Sequence, residues 1–152
     1  SEIQHPIIDA YLAAWPARQA PRILGSRSLF VADSREEALH WAEIGLRRLA
    51  VRHAHASAGA FPRVDPQAPL AQLIAAYDVH VGTPEEVIAT LQADTALART
   101  TDLVFQVHSI DPPHAAILRS LELTATVVAP ALGWGGPATA VPAAASGLLQ
   151  AA

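Results

Sequence analysis

The stretch Arg27-Ser28-Leu29-Phe30-Val31-Ala32-Asp33-Ser34-Arg35-Glu36-Glu37-Ala38 joins a strand directly to a helix and decides the fold class. Its first half is short and apolar and is bounded by Gly25 and Asp33, which is typical of a buried strand. Its second half offers Asp33 or Ser34 as the N-cap, with a glutamate three residues after each as the capping-box partner. We therefore predict a strand over about 27–32 and a helix over about 34–56.

The same succession of strand and helix appears further along the chain. The residues Gly82-Thr83-Pro84-Glu85-Glu86 follow a brief extended piece at 79–81, and they predict a helix with Thr83 as N-cap, proline at the first position and a capping-box glutamate. A buried strand is predicted over 102–108, and a last helix starts near Asp111, which can cap it. Strands that alternate with helices indicate an α/β fold with parallel strands.

The sequence defines few strands. Only the segments 27–32 and 102–108 are clear, and two strands make neither a closed barrel nor a broad sheet. The chain is therefore expected to be part of a larger α/β unit, or a protomer that completes its sheet with a partner. In the last helix we expect a core-facing side made of Ile117, Leu118, Leu121, Ala125, Val128 and Leu132. Residues 133–152 are rich in alanine, proline and glycine, and we expect a disordered tail there.

Composition excludes several classes of protein. Hydrophobic residues make up 51% of the 152, which excludes a fully disordered chain, and a net charge of -4 gives no basic face for nucleic acid. Cysteine is absent and all ten basic residues are arginine, so thiolate and Schiff-base lysine chemistry are excluded. The sequence predicts neither a signal peptide nor a membrane span, and a cytoplasmic protein is expected.

Three blocks of the chain together resemble the luciferase-like monooxygenases. The run Phe30-Val31-Ala32-Asp33-Ser34-Arg35-Glu36-Glu37-Ala38 resembles the strand of that family that leads into a T/S-x-E-E-A helix. The run Val81-Gly82-Thr83-Pro84-Glu85-Glu86-Val87 is similar to the family's G-[ST]-P-E-E-V helix entry. The segment 114–132, with Leu118-Arg119-Ser120-Leu121-Glu122-Leu123 and Ala129-Pro130-Ala131-Leu132, is similar to its final helix. The blocks stand in the order of the family and span about 28–132.

The resemblance implies a (β/α)8 TIM barrel that uses reduced FMN, or the deazaflavin F420 in sister enzymes. Such enzymes oxidise small organic substrates, and the flavin-dependent ones use molecular oxygen. A complete barrel needs about 250 residues, so residues 1–132 would form its C-terminal part, a partial barrel with few parallel strands and long helices. The early strands, which in the family supply much of the flavin pocket and the usual catalytic histidines, have no counterpart here. The isolated chain is therefore expected to be inactive, and no catalytic residue is assigned.

The strand 102–108 carries the residues expected to bind the cofactor. Alternation places Leu103 and Phe105 on one face and Gln106 and His108 on the other. In a barrel, the carboxyl ends of the strands line the site, so Gln106 and His108 would hydrogen-bond a flavin ring or a substrate carbonyl. The alternative is that His108 only caps the following loop or faces solvent.

Two other polar clusters have a functional and a plainer interpretation. His53 and His55 could bind a metal together with His40 or His80, but residues two apart on a helix do not share a face. Surface histidines are the favoured interpretation, and no metal site is expected. The arginines Arg47, Arg48 and Arg52 could contact a phosphate, although a solvated helix end is the commoner reason for such a cluster.

Two functions compete with the oxidoreductase. The chain could be a truncated, non-catalytic α/β module that folds by forming a homo-oligomer, since unpaired strand edges favour pairing with another chain. It could also be a small-ligand-binding α/β domain unrelated to the luciferase-like family.

Overall fold

A computed structural model describes residues 4–16, 18–55, 62–107 and 111–134. Three strands and five principal helices occur in this part of the chain. In chain order they are α1 (Gln4–Ala14), β1 (Leu24–Val31), α2 (Arg35–Ala54), α3 (Leu70–Tyr77), β2 (Val79–Gly82), α4 (Pro84–Gln92), a 3-10 turn (Leu97–Arg99), β3 (Asp102–Val107) and α5 (His114–Leu123). A π-helical turn (Thr124–Val128) and a last α-helical turn (Ala129–Ala131) continue α5.

The three strands form one parallel sheet with β1 in the middle. Leu29 of β1 lies opposite His80 of β2 on one side and opposite Val107 of β3 on the other. The predicted α/β class with few parallel strands is therefore confirmed. The brief extended piece expected at 79–81 is a strand of the sheet, β2, and β1 begins three residues earlier than the sequence indicated.

A partial barrel is not confirmed, because the order of the strands is β2-β1-β3. In a (β/α)8 barrel each strand lies beside the one that follows it along the chain, which would place β2 between β1 and β3. The order found here is instead that of an open sheet in which the chain leaves β1 to one side and then crosses back to the other.

Helices cover both faces of the sheet, because the two crossovers run in opposite directions and right-handed connections then lie on opposite faces. On one face, α2 and α3 bury Ala42, Leu46, Ala50 and Leu73, with Val79 of β2 packed against them. On the other face, the core contains Leu29 and Val31 of β1 and residues of α4, the 3-10 turn and α5, among them Val87, Leu91, Leu97 and Leu123.

Local capping signals begin two of the helices as the sequence predicts. The hydroxyl of Ser34 accepts a hydrogen bond from the backbone N–H of Glu37 at the start of α2. At the start of α4, Thr83 and Glu86 form the complete capping box, and the backbone N–H of Thr83 donates to the Glu86 carboxylate at 3.0 Å. The cap of α2 thus satisfies one orphan backbone donor, whereas the capping box of α4 satisfies two.

The last helix differs from the prediction in its cap and in its buried side. The N-cap of α5 is Pro113, which makes no side-chain capping hydrogen bond, and not Asp111 as predicted. The buried residues are Ser120, Leu123, Thr124 and Val128, whereas Leu118 and Leu121, which we expected in the core, are 52% and 47% exposed. The π-helical turn ends just before Pro130, which lacks an N–H for the regular helical bond, and it shifts the phase of the buried side.

Candidate functional site

A cavity of about 330 Å³ lies between α2 and the sheet. Its floor is formed by side chains of all three strands, and its wall by the side of α2 that faces them. The lining residues are Ser28, Phe30, Ala42, Gly45, Leu46, Arg48, Leu49, Arg52, His53, Val79, Val81, Gln106, Val107 and Asp111. A volume of this size is in the range of small-molecule sites, which are mainly apolar with a few polar groups.

The floor of the cavity straddles β1 and β3, where Ser28 and Gln106 lie opposite each other in the sheet. The chain leaves β1 toward β2 and returns to β3, so this boundary is the topological switch point of the sheet. Ligands of open α/β sheets bind at the carboxyl ends of the strands beside such a point. Val107 ends β3 and Asp111 follows it before α5, so the cavity reaches the carboxyl end of β3.

Gln106 lies on the face that alternation predicts. Leu103 and Phe105 pack against the core on the opposite face, while the Gln106 side chain is exposed and lines the cavity. Its role as a cofactor ligand stays a prediction. His108, the other residue expected to bind the cofactor, lies outside the described residues.

The wall and rim of the cavity come from α2. At the positions that face the floor, Ala42 presents only a methyl group and Gly45 has no side chain, which leaves room for a ligand. At the rim, Arg48 forms an ion pair with Asp111, whose side chain is only 2% exposed. Arg52 is exposed and also borders the cavity. The positive charge of Arg48 is thus matched within the protein, and Arg52 is the cation that a ligand can approach.

Arg47 does not belong to this rim. Its guanidinium donates to the Glu43 carboxylate and to the backbone carbonyls of Pro66 and Ala68, so it fastens the segment before α3 to α2. The three arginines that the sequence grouped together therefore have three different environments.

A buried polar cluster lies on the opposite face of the sheet, near the amino ends of β1 and β2. Its centre is the ion pair between Arg27 and Asp94, in which Nε lies 2.6 Å from Oδ2 and the side chains are 3% and 8% exposed. The guanidinium also donates to the Ser26 carbonyl and to Oε1 of Gln4. Oδ1 of Asp94 accepts the backbone N–H groups of Ala96 and Leu97. Each charge of the pair is thereby hydrogen-bonded on several sides, as burial of an ion pair requires.

His80 completes the cluster. Its Nδ1 lies 3.0 Å from the hydroxyl oxygen of Thr90, and that hydroxyl donates to the Val87 carbonyl. Its Nε2 is buried, has no hydrogen-bond partner and lies 3.9 Å from Oδ2 of Asp94. Asp78, which ends α3 with a left-handed φ of 51°, contributes a half-exposed carboxylate 3.6 Å from Nε of Arg27.

The electrostatics of the cluster hold His80 neutral and Asp94 charged. Burial lowers the pKa of His80, and the nearby carboxylates of Asp78 and Asp94, which raise it, do not reverse the shift. Burial would raise the pKa of Asp94, but the hydrogen bonds from Arg27 and from the Leu97 and Ala96 N–H groups outweigh it, and the pKa is lowered. A neutral imidazole beside two carboxylates is a donor set that a metal ion can use.

The sequence did not reveal this cluster. Within the described ranges, Asp78, His80 and Asp94 are the group of three metal-ligating side chains whose ligand atoms lie within 4.8 Å of one another, and His40, His53 and His55 do not belong to it. The Asp78-x-His80 spacing at the start of a strand is a signal that could have pointed to it, since residues two apart on a strand share a face. Asp94 follows α4, and only the tertiary structure brings it near.

No protein-family model matches the chain, and no curated protein matches it. In the described part of the chain, no helix combines the length and the apolar character that crossing a membrane requires.

Proposed function

We propose that this chain binds a small organic molecule with an apolar body and an anionic group in the cavity between α2 and the sheet. The observation that carries the proposal is the position of the cavity. It lies across the switch point between β1 and β3, the place where open α/β sheets bind their ligands.

The lining supports this ligand class. Phe30, Leu46, Val79 and Val81 offer an apolar surface that favours burial of an apolar body. The Gln106 amide on the floor can donate and accept hydrogen bonds, and so it can orient a polar edge of the ligand. Arg52 at the rim can pair with an anionic group, because the guanidinium suits carboxylates and phosphates.

Reduced FMN, the cofactor that the resemblance implies, is a member of this ligand class. Gln106 would hydrogen-bond its ring and Arg52 would hold its phosphate. When bound, reduced flavin would supply the electrons that activate molecular oxygen, the oxidant with which luciferase-like flavin enzymes oxidise small organic substrates. Two of the three resembling blocks run from the end of a strand into the start of a helix, at β1–α2 and β2–α4, as the family's motifs do. The strand order gives the barrel no support, so the flavin-dependent oxidation rests on these motifs and on the cavity.

Binding can be measured with 1-anilinonaphthalene-8-sulfonate, a fluorescent probe that has an apolar body and a sulfonate. We expect saturable binding to the folded protein, and competition by FMN if the ligand is a flavin. The variants Arg52→Gln and Gln106→Leu should each weaken binding by about tenfold, which corresponds to about 1.4 kcal/mol. Arg18→Gln is the matched control, since Arg18 is exposed and lies outside the lining.

The outcomes of these measurements distinguish the proposed site, the flavin ligand and the expected lack of activity from one another. Equal binding by the wild type and by both cavity variants, with near-UV circular dichroism unchanged, would refute the proposed site. Competition by long-chain carboxylates but not by FMN would refute the flavin and leave the ligand class standing. NADH-dependent reduction of flavin followed by substrate oxidation would contradict the expectation that the isolated chain is inactive.

The open edge of β3 supports the second function, a module that assembles with another copy of itself. β3 is an edge strand of the described sheet, and Val104 on it and Leu24 beside it on β1 are 49% and 66% exposed. Exposed apolar edges of this kind pair readily with another strand. Light scattering at increasing protein concentration would detect the assembly, and Val104→Arg should shift it toward the monomer.

A further inference from the structure

We propose that Asp78, His80 and Asp94 form a binding site for a divalent transition metal ion of the zinc class. The site lies on the sheet face opposite the α2 cavity, because His80 alternates with Val79 and Val81, which line that cavity. It is therefore independent of the ligand-binding function proposed above.

Hydrogen bonding fixes the tautomer of His80. The Thr90 hydroxyl gives its proton to the Val87 carbonyl, so it can only accept from Nδ1 of His80. Nδ1 consequently carries the ring proton and Nε2 presents a bare lone pair. A hydrogen bond at one ring nitrogen that fixes the other as the ligand atom is the usual support of metal-bound histidine.

The lone pair on Nε2 of His80 is buried beside a carboxylate. The His80 side chain is 8% exposed, and Nε2 has no hydrogen-bond partner. It lies 3.9 Å from a carboxylate oxygen of Asp94, which repels a lone pair. A buried polar atom without a partner destabilises the folded protein. A cation between Nε2 and the carboxylates would remove both the repulsion and the unmet hydrogen-bonding capacity.

The geometry requires little rearrangement. Ligand atoms about 2.1 Å from a tetrahedral zinc ion lie roughly 3.4 Å apart. The three ligand atoms here lie within 4.8 Å of one another, so closing the separations by at most about 1.4 Å brings them to the zinc distances. Asp78, whose side chain is 57% exposed, can make that movement, and the small pocket beside the cluster, lined by Asp78, His80, Thr90 and Ala93, opens the site to solvent.

The donor set selects the class of metal. Two carboxylates and one imidazole nitrogen suit zinc and its neighbours in the first transition row, whereas calcium and magnesium prefer oxygen ligands throughout. Arg27 already places one positive charge against Asp94, so the cluster carries a net charge near -1 with His80 neutral. A divalent ion is still attracted, but less strongly than by two unpaired carboxylates.

Cobalt(II) and zinc(II) are the probes for the test, with the complete chain in metal-free buffer. We expect saturable Co²⁺ binding with a visible absorption band that Zn²⁺ displaces. Asp78→Asn should weaken binding by about tenfold or more, the scale seen when the surroundings of a metal site are altered. Asparagine tolerates the left-handed backbone at this position, so the variant keeps its fold. His80→Gln should abolish the visible band.

The controls are matched in chemistry and differ in place. His40→Gln removes an exposed histidine of α2, and Asp65→Asn removes an exposed carboxylate before α3. Both should bind Co²⁺ as the wild type does. The proposal is overturned if the wild type shows no saturable binding below about 1 mM, a concentration that corresponds to a very weak complex. It is equally overturned if Asp78→Asn, folded by circular dichroism, binds with unchanged affinity.

Discussion

The backbone N–H of Val31 donates a hydrogen bond to Oγ of Ser120 at 2.9 Å, and both residues are fully buried. The backbone N–H of Ala32 donates to the carbonyl of Gly82 in β2. Because the N–H groups of successive strand residues face opposite edges, the N–H of Val31 faces the β3 side of β1. On that side the pairing of described residues ends with Val107 opposite Leu29. A side chain of α5 thus completes the hydrogen bonding of the central strand at a point where the described part of the sheet provides no partner.

Replacement of Ser120 by alanine leaves this buried N–H without an acceptor. The cost of an unmet buried donor is about 1–3 kcal/mol, and we expect the free energy of unfolding to fall by that amount. Urea unfolding followed by circular dichroism measures it. Ser26→Ala, a change of the same atoms at an exposed position of β1, should leave the stability nearly unaltered. Equal effects of the two variants would contradict the assigned role of Ser120.

The ion pair between Arg27 and Asp94 is a second point of vulnerability. Arg27→Met keeps the length of the side chain but removes its charge, and it leaves the buried Asp94 carboxylate uncompensated. Breaking a buried pair in this way typically costs about 3–5 kcal/mol. Thermal unfolding should show a correspondingly large loss, and the Arg27→Met/Asp94→Leu double variant should recover part of it.

Arg22→Met is the control for that experiment. Arg22 forms an ion pair with Asp102, but its side chain is 80% exposed, and solvent screens such pairs. We expect little change in unfolding. A loss as large as that of Arg27→Met would show that charge number, and not burial, controls the stability.

The neutral state of His80 makes stability depend on pH. Burial lowers its pKa below the usual 6.5, against the opposing effect of Asp78 and Asp94. The unfolded chain therefore takes up a proton near pH 6.5 while the folded chain does not, so the stabilisation is complete above that pH. It is lost progressively as the pH falls from 6.5 toward the lower pKa of the folded state.

Urea unfolding at a series of pH values between 8 and 5 tests this dependence. The slope in that window should diminish in His80→Gln and persist in His114→Gln, which removes an exposed histidine at the start of α5. The lowered pKa values of the Asp94 and Glu86 carboxyl groups affect the stability only at lower pH, because these groups normally titrate near 3.8 and 4.5. A slope that is unchanged in His80→Gln would assign the pH dependence to another group.

The parts of the fold that the sequence predicts are those specified by neighbouring residues. Caps such as Ser34 and Thr83 act over three positions, and strand alternation places Gln106 opposite the packed side of β3. Both are local, so they survive whatever the strand order is. The order of the strands is not specified by neighbouring residues, because it depends on which strand pairs with each edge of β1. The four residues of β2 give only a weak sequence signal for that pairing.

The same distinction explains the candidate sites and the last helix. Asp94 lies near His80 in the tertiary structure, where its carboxylate accepts a hydrogen bond from Arg27, a residue 67 positions away in the sequence. The buried side of α5 differs from the predicted one because Thr124 and Thr126 donate their hydroxyls to carbonyls four residues earlier and Pro130 lacks its N–H. These groups produce the π-helical turn, and a regular helical period then identifies the wrong buried side.

Gly82 links β2 to α4, and its replacement by alanine should destabilise the protein. Its φ of +151° is one that residues with a side chain rarely adopt, and a Cβ there would lie 2.5 Å from Oε2 of Glu86. That oxygen accepts the Thr83 N–H in the capping box, so the substitution strains the backbone and displaces the cap together. Loss of a helix cap alone costs about 1 kcal/mol.

We expect Gly82→Ala to lose more stability than Thr83→Ala in urea unfolding. Gly133→Ala is the control, because a Cβ there meets no atom within 4 Å and the variant carries only the strain of its φ of +73°. If Gly82→Ala is no less stable than Gly133→Ala, contact with Glu86 is not what requires glycine at this position.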